Sequence, residues 1–194
     1  MKIGLYFGSF NPIHIGHLII AEAMRDALQL DKVWFVVSPH NPLKSKASLA
    51  HEHDRYEMVR LAVDDNPYFQ VSDIEFRLPQ PNYTIDTLRI ITEKRPNDEF
   101  VLIMGEDNLR SIHRWKNYQS LLELYSIAYY PRAHEQSNDY KIEGAKSIIR
   151  VNAINLDISS SYIRKALSLK RSIKYMVPVA AVNYIINNRL YNLS

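Results

Sequence analysis

Apolar residues in this chain fall into short unbroken runs, separated by longer stretches with helical spacing. The runs are Ile3-Gly4-Leu5-Tyr6-Phe7, Lys32-Val33-Trp34-Phe35-Val36-Val37, residues 69–74, Phe100-Val101-Leu102-Ile103-Met104, Ile127-Ala128-Tyr129-Tyr130 stopped by Pro131, and residues 147–151. Each is strand-length and does not alternate with polar residues, which predicts strands buried on both faces. Between them, helices are predicted from about Leu18 to about Leu30, over 51–66 with Tyr56, Val59, Ala62 and Val63 on one face, and from Thr84, as N-cap, to about Arg95. A short helix after Gly105-Glu106-Asp107, another over 121–124, and closing helices over 159–169 and 178–188 follow, the last with Pro178 near its first turn. Residues 134–146 read as a polar loop. Strands and helices that alternate in this way predict an α/β fold, a doubly wound parallel sheet with helices on both faces and a small helical C-terminal part. Ligands in such sheets sit at the carboxyl ends of the strands. No internal repeat or linker interrupts 1–194, so a single domain is expected.

Composition narrows the class. Of 194 residues 46% are hydrophobic, enough for a core. Lys and Arg number 24 against 21 Asp and Glu, a net +3 without a dense basic block. That suits small anionic substrates better than nucleic acid. Cysteine is absent, which excludes disulfides and thiolate metal sites. The chain opens on a strand rather than a signal peptide and has no membrane-length apolar stretch, so a soluble cytoplasmic protein is expected. Oligomeric state stays open, a homo-oligomer included.

The chemistry concentrates in Gly8-Ser9-Phe10-Asn11-Pro12-Ile13-His14-Ile15-Gly16-His17, where the first strand turns into the first helix. Free backbone N–H groups at a helix start, helped by its dipole, favour an anion, most often phosphate. Gly8 permits close approach of a ligand to the backbone, Ser9 offers a hydroxyl, Pro12 stiffens the turn and Gly16 allows tight packing of the helix. His14 and His17 share a face at the helix start, as two donors for developing phosphate charge. A zinc pair or two ordinary surface histidines would leave Gly8, Pro12 and Gly16 without a use. A second anchor is Ile158-Ser159-Ser160-Ser161-Tyr162-Ile163-Arg164. Its serines cap a helix, and Arg164 lies one turn beyond Ser160, which suits a di- or triphosphate. The plain alternative is a capped helix with a surface arginine. His51-Glu52-His53-Asp54 looks like a metal cluster, but neighbours on a helix point different ways, so a solvated helix start is expected.

The first stretch resembles the Gly-x-Phe-x-Pro-x-His-x-Gly-His signature of the nucleotidyltransferase superfamily related to class I aminoacyl-tRNA synthetases. The second resembles its Ile-Ser-x-Ser/Thr-x-x-Arg signature. Asn82-Tyr83-Thr84-Ile85-Asp86-Thr87 resembles the Tyr-Thr segment of the bacterial nicotinate-mononucleotide adenylyltransferases. Gly105-Glu106-Asp107, with Trp115 eight residues past the Asp, resembles their Gly-x-Asp…Trp segment. Ser38-Pro39-His40-Asn41-Pro42-Leu43-Lys44, followed by Arg55 and Met58, resembles their second-strand loop and the next helix. Two departures stand out. Gly-Ser-Phe-Asn-Pro replaces a frequent Gly-Gly-Thr-Phe-Asp-Pro, and Lys116 stands where an aromatic is frequent.

The resemblance implies a Rossmann-like fold and transfer of AMP from ATP to nicotinate mononucleotide, with release of pyrophosphate, in NAD biosynthesis. It implies His14, His17 and Arg164 as catalytic residues. Gly8, Ser9, Phe10, Gly16, Gly105, Asp107, Ser159 and Ser160 join them around ATP. Ser9, Lys44, Tyr83, Thr84, Trp115 and Lys116 are implied at the mononucleotide. Mg²⁺ would arrive on the ATP phosphates, without a protein cage. Pantetheine-phosphate or nicotinamide-mononucleotide adenylyl transfer is the alternative within the class. A non-catalytic nucleotide- or RNA-binding protein is the alternative outside it, suggested by the pI near 9.0. Trp115 as core filler and Thr84 and Thr87 as caps are the bland readings of those residues.

Overall fold

The computed structural model describes residues 1–39, 49–131, 140–154 and 156–191. Six strands form one sheet: β1 (Lys2–Gly8), β2 (Lys32–Val37), β3 (Phe69–Ser72), β4 (Glu99–Gly105), β5 (Ser126–Tyr130) and β6 (Ser147–Arg150). All neighbours are parallel, in the order β3-β2-β1-β4-β5-β6. The order reverses between β1 and β4, so the crevice of a doubly wound sheet opens above Gly8 and Gly105.

The unbroken apolar runs are explained by two cores, one on each side. Along β1, β2, β4 and β5, Tyr6, Phe35, Val37, Val101, Ile103 and Ala128 face one core. Their neighbours Leu5, Val36, Leu102, Met104, Ile127 and Tyr129 face the other. This is the period-two alternation of a strand with apolar residues on both faces. The first core is covered by α1 (Ile15–Leu28), α2 (Glu52–Val63), α6 (Ser160–Ser168) and α7 (Val179–Asn187). The second is covered by α3 (Thr84–Lys94), α4 (Glu106–Arg110) and α5 (Tyr118–Leu124). Leu88 of α3 is 0% exposed, and its truncation to Ala would cost about 2–5 kcal/mol.

Several boundaries differ from the sequence expectation for identifiable reasons. Thr84 is the first helical residue of α3 rather than its cap; Tyr83 takes the extended backbone of the cap. The third strand stops at Ser72, and Ile74–Arg77 winds into a 3₁₀ turn. That turn brings Glu75 under α3, where the Thr87 hydroxyl donates to its Oε1 at 2.8 Å. The second helix ends at Val63, short of Pro67. Pro178 is the cap of α7, not part of its first turn. Of the expected loop 134–146, residues 134–139 lie outside the described residues, and 140–146 is irregular. Among the described residues no helix is long and apolar enough to cross a membrane.

Candidate active site

The loop from β1 to α1 is built around Phe10. This residue takes a left-handed backbone, φ 43°, which folds its ring back over Gly8. A Cβ on Gly8 would come within 2.8 Å of that ring, so only glycine fits. Gly8 is thus required by Phe10, a reason the sequence did not reveal. Phe10 is 2% exposed and meets the edges of Tyr6 and His17, with ring centroids 5.8 and 5.1 Å away. It is therefore part of the core beneath the loop. Gly16 has a similar explanation: a Cβ there would lie 3.1 Å from His14 Nδ1.

His14 caps α1, and His17 sits three residues on. Their rings are stacked, with centroids 3.6 Å apart. The His14 backbone N–H donates to His17 Nδ1 at 3.2 Å. An accepting Nδ1 leaves the proton of the neutral ring on Nε2, the nitrogen away from the backbone. His14 is 6% exposed, and burial pushes its pKa down to about 4, so it is neutral at pH 7. Its Nδ1 is buried and has no hydrogen-bond partner among the described residues. A buried polar atom left open in this way has capacity to spare for a ligand.

The C-terminal helices reach back to this loop. Ser159 caps α6 by accepting from the Tyr162 N–H at 3.2 Å. Ser160 Oγ donates to the Pro12 carbonyl at 2.9 Å. Arg164 Nη1 donates to the Asn11 carbonyl at 2.8 Å, and its Nη2 to Ser161 Oγ at 3.3 Å. The structure thus joins Ser160 and Arg164 to the loop that carries Ser9, His14 and His17, across about 150 residues of chain. Ser9 is half-buried, and its carbonyl is held by Arg55.

A second group lies along α3 and the turn after α4. Lys116 Nζ pairs with Asp86 at 2.8 Å and lies 4.7 Å from the centre of the Tyr83 ring. These residues line a cavity of about 340 Å³ with Gln80, Asn82 and Thr87. Thr84 and Trp115 are half-buried beside the second core. Between the two groups, β4 ends at Gly105 and Asp107 is exposed in the first turn of α4. A Cβ on Gly105 would lie 2.5 Å from Asp107 Oδ1, so glycine admits the carboxylate there. Lys44 lies outside the described residues.

Sequence reasoning gave no role to several buried polar residues. Asn11, 5% exposed, accepts through Oδ1 from the Ala50 N–H at 3.1 Å and the Tyr191 hydroxyl at 2.9 Å. Burial pushes the Tyr191 hydroxyl pKa up. Glu75 is 3% exposed and raised by burial, partly offset by hydrogen bonds from Ser38 and Thr87. Glu106 is 0% exposed; its Oε1 accepts from Arg110 Nη2 and the Tyr140 hydroxyl, each at 3.1 Å. Arg55 is 0% exposed. It did leave a signal: it occupies the apolar stripe of α2 at one- and two-turn spacing from Met58, Val59 and Ala62. His51, the cap of α2, accepts from the His53 N–H, and Asp54 accepts from the Tyr184 hydroxyl at 2.9 Å. Among the described residues no three His, Cys, Asp or Glu stand together as a cation site.

The donors gathered at the first loop are imidazole, guanidinium, hydroxyl and backbone N–H, a set made for phosphate oxygens rather than a cation. Comparison with known proteins gives the family. A cytidylyltransferase-like family model matches residues 5–166. The chain is 49% identical over 192 residues to a probable nicotinate-nucleotide adenylyltransferase of Cytophaga hutchinsonii, with 99% of each chain covered. It is 48% identical over 191 residues to the protein of that name in Flavobacterium psychrophilum, covering 98% of this chain and 99% of the other. Among solved structures it is similar to Plasmodium falciparum nicotinic acid mononucleotide adenylyltransferase complexed with NaAD. The TM-score is 0.83 at 23% identity, over 100% of this chain and 98% of that one. That likeness shows the same fold.

Proposed function

Because the chain belongs to the nicotinate-nucleotide adenylyltransferase family of cytidylyltransferase-like proteins, we propose that it transfers AMP from ATP to nicotinate mononucleotide. The products are nicotinate adenine dinucleotide and pyrophosphate, in NAD biosynthesis. One observation carries the reading beyond the resemblance. The stacked pair His14 and His17 shares one loop with Ser160 and Arg164, which arrive from the far end of the chain.

The mononucleotide phosphate is already anionic, so in-line attack on the α-phosphorus needs no protein nucleophile and no strong base. Catalysis reduces to positioning and charge stabilisation. His17, through the Nε2–H of its neutral ring, would donate to the transferred group, and His14 to the phosphate chain. Arg164, and Ser160 through its N–H at the start of α6, would hold the β- and γ-phosphates that leave, on the frame of Gly8, Phe10, Gly16 and Ser159. Asp107, beside Gly105, would accept from a ribose hydroxyl. Ser9 and Lys44 would receive the acceptor's phosphate, and Tyr83, Thr84, Trp115 and Lys116 its pyridine end. Mg²⁺ supplies charge neutralisation on the phosphates and would be carried by them, since the donor set offers it little. We infer further that residues 1–194 act as one domain, because Ser160 of α6 and Tyr191 after α7 both bond to the first loop, and that this synthesis takes place in the cytoplasm.

The test is to incubate the protein with ATP and Mg²⁺ plus nicotinate mononucleotide, nicotinamide mononucleotide or phosphopantetheine, and to follow pyrophosphate. Release should be fastest with nicotinate mononucleotide. Release only with phosphopantetheine, or with none of the three, would overturn the proposal.

A further inference from the structure

Arg55 projects from the apolar face of α2 and is wholly buried. A guanidinium in such a place ordinarily faces a carboxylate, because a lone charge is costly to desolvate. Among the described residues Arg55 makes no ion pair, and all its hydrogen-bond partners are main-chain carbonyls. Its Nε donates to Ala50 at 2.9 Å, Nη1 to Ser9 and to Ser38 at 2.7 Å each, and Nη2 to Pro39 at 2.8 Å. Burial pushes its pKa down, opposed by the more distant Tyr191 and Glu52. An arginine nevertheless stays charged at neutral pH. The carbonyls belong to the loop after β1, the loop after β2 and the segment entering α2. One side chain therefore fixes the mutual position of two loops at the carboxyl edge of the sheet.

We propose that Arg55 is a positioning residue of the phosphate-binding loop. It holds the Ser9 carbonyl from behind and keeps a positive charge beneath the bound phosphates. The peptide geometry gives the first part. The cis bonds among the described residues are Asn11–Pro12 and Gln80–Pro81, so Ser9–Phe10 is trans. A trans peptide points its C=O and N–H to opposite sides. With the Ser9 carbonyl turned into Arg55, the Phe10 N–H faces away from it, the side to which the proposal assigns the phosphates. The charge gives the second part. In a low-dielectric setting a buried cation acts over a longer range than it would in water. A bound polyanion offsets the cost that the free protein carries for that cation. The phosphate chain is thus the missing counter-charge of Arg55, held one peptide layer away.

This inference rests on the proposed function, so its test has an arm that separates the two. Arg55→Lys keeps the charge, but a single ammonium cannot span carbonyls from three segments. Pyrophosphate and adenosine binding are measured by NMR titration, and kcat with saturating substrates. Pyrophosphate affinity and kcat should each fall at least about tenfold, while adenosine affinity stays within about twofold. Unchanged kcat and pyrophosphate affinity would overturn the proposal, and so would equal loss of both ligands, the mark of a merely structural residue. Arg55→Ala provides a second route. Guanidinium at low millimolar concentration should recover pyrophosphate binding where methylammonium does not, and equal behaviour of the two ions would count against the role. Wild-type protein that binds adenosine but not pyrophosphate would overturn the functional reading instead.

Discussion

The imidazole of His14 lies face to face with that of His17, ring centroids 3.6 Å apart and planes 26° apart. The His14 backbone N–H also occupies His17 Nδ1. The N–H of its neutral ring is therefore on Nε2, and the ring is held by Phe10 and Tyr6, both near-perpendicular to it. Loss of one preorganised donor to a developing oxyanion reduces turnover by about 10²–10³. His17→Ala should show a kcat loss of that size, with ATP affinity changed much less. Turnover near the wild-type rate would remove His17 from the mechanism.

His14 makes acid stability a second readout. Its pKa in the folded chain, about 4, lies below the ordinary 6.5 because burial disfavours the charged ring. Between those values the unfolded chain binds the proton and the folded chain does not. Stability from this group is therefore complete above pH 6.5 and declines as pH falls toward 4. The loss amounts to about 3 kcal/mol at the acid end. Urea midpoints measured from pH 7 to pH 4.5 should fall less steeply for His14→Asn than for wild type. Parallel slopes would show that His14 does not titrate with folding.

Arg164 already spends one arm of its fork on the Asn11 carbonyl. A lysine in its place would have to choose between that carbonyl and a phosphate, and it lacks the planar pair of donors. Arg164→Lys should lower kcat/KM for ATP at least about tenfold, although charge is conserved. Full activity in the lysine variant would mean that only a point charge is needed there.

What the sequence disclosed and withheld follows from the range of each interaction. The strands were legible because residues such as Leu5 and Tyr6 are buried on opposite faces, leaving an unbroken apolar run. The first loop was legible because its glycines, proline and histidines form one contiguous pattern. The tie between Tyr191 and Asn11 spans 180 positions and leaves no local trace. The bond between Glu75 and Thr87 was opaque because it depends on the 3₁₀ turn at Ile74–Arg77, where the sequence reads as a strand running to Ile74. Thr84 was misplaced by one residue because a favourable cap residue in the sequence does not compel the backbone to start there. The role of Gly8 was inferred from ligand access, whereas the contact that excludes a side chain comes from Phe10; Gly16 was read from tight packing, and the close neighbour there is His14.

Acid against amide is the sharpest test of the acceptor end. Lys116 does not offer an open charge to a carboxylate: its Nζ is paired with Asp86 at 2.8 Å. Both side chains are about two-fifths exposed, 42% and 40%, so the pair adds little to stability, within about 1 kcal/mol. Its effect on selectivity is larger, because Asp86 offsets the charge that a nicotinate would meet in the cavity both residues line. A carboxylate only accepts hydrogen bonds, whereas an amide must turn its NH₂ toward one donor, at a cost of about 1–3 kcal/mol. Nicotinate mononucleotide should therefore exceed nicotinamide mononucleotide in kcat/KM by at least about tenfold. Asp86→Asn releases Lys116 and should widen that ratio, while Lys116→Ala should narrow it. Trp115→Ala should weaken both acceptors alike, since stacking does not distinguish acid from amide. Equal kcat/KM for the two acceptors in wild type, or a ratio indifferent to Asp86→Asn, would move the pyridine away from Lys116 while leaving adenylyl transfer at the first loop untouched.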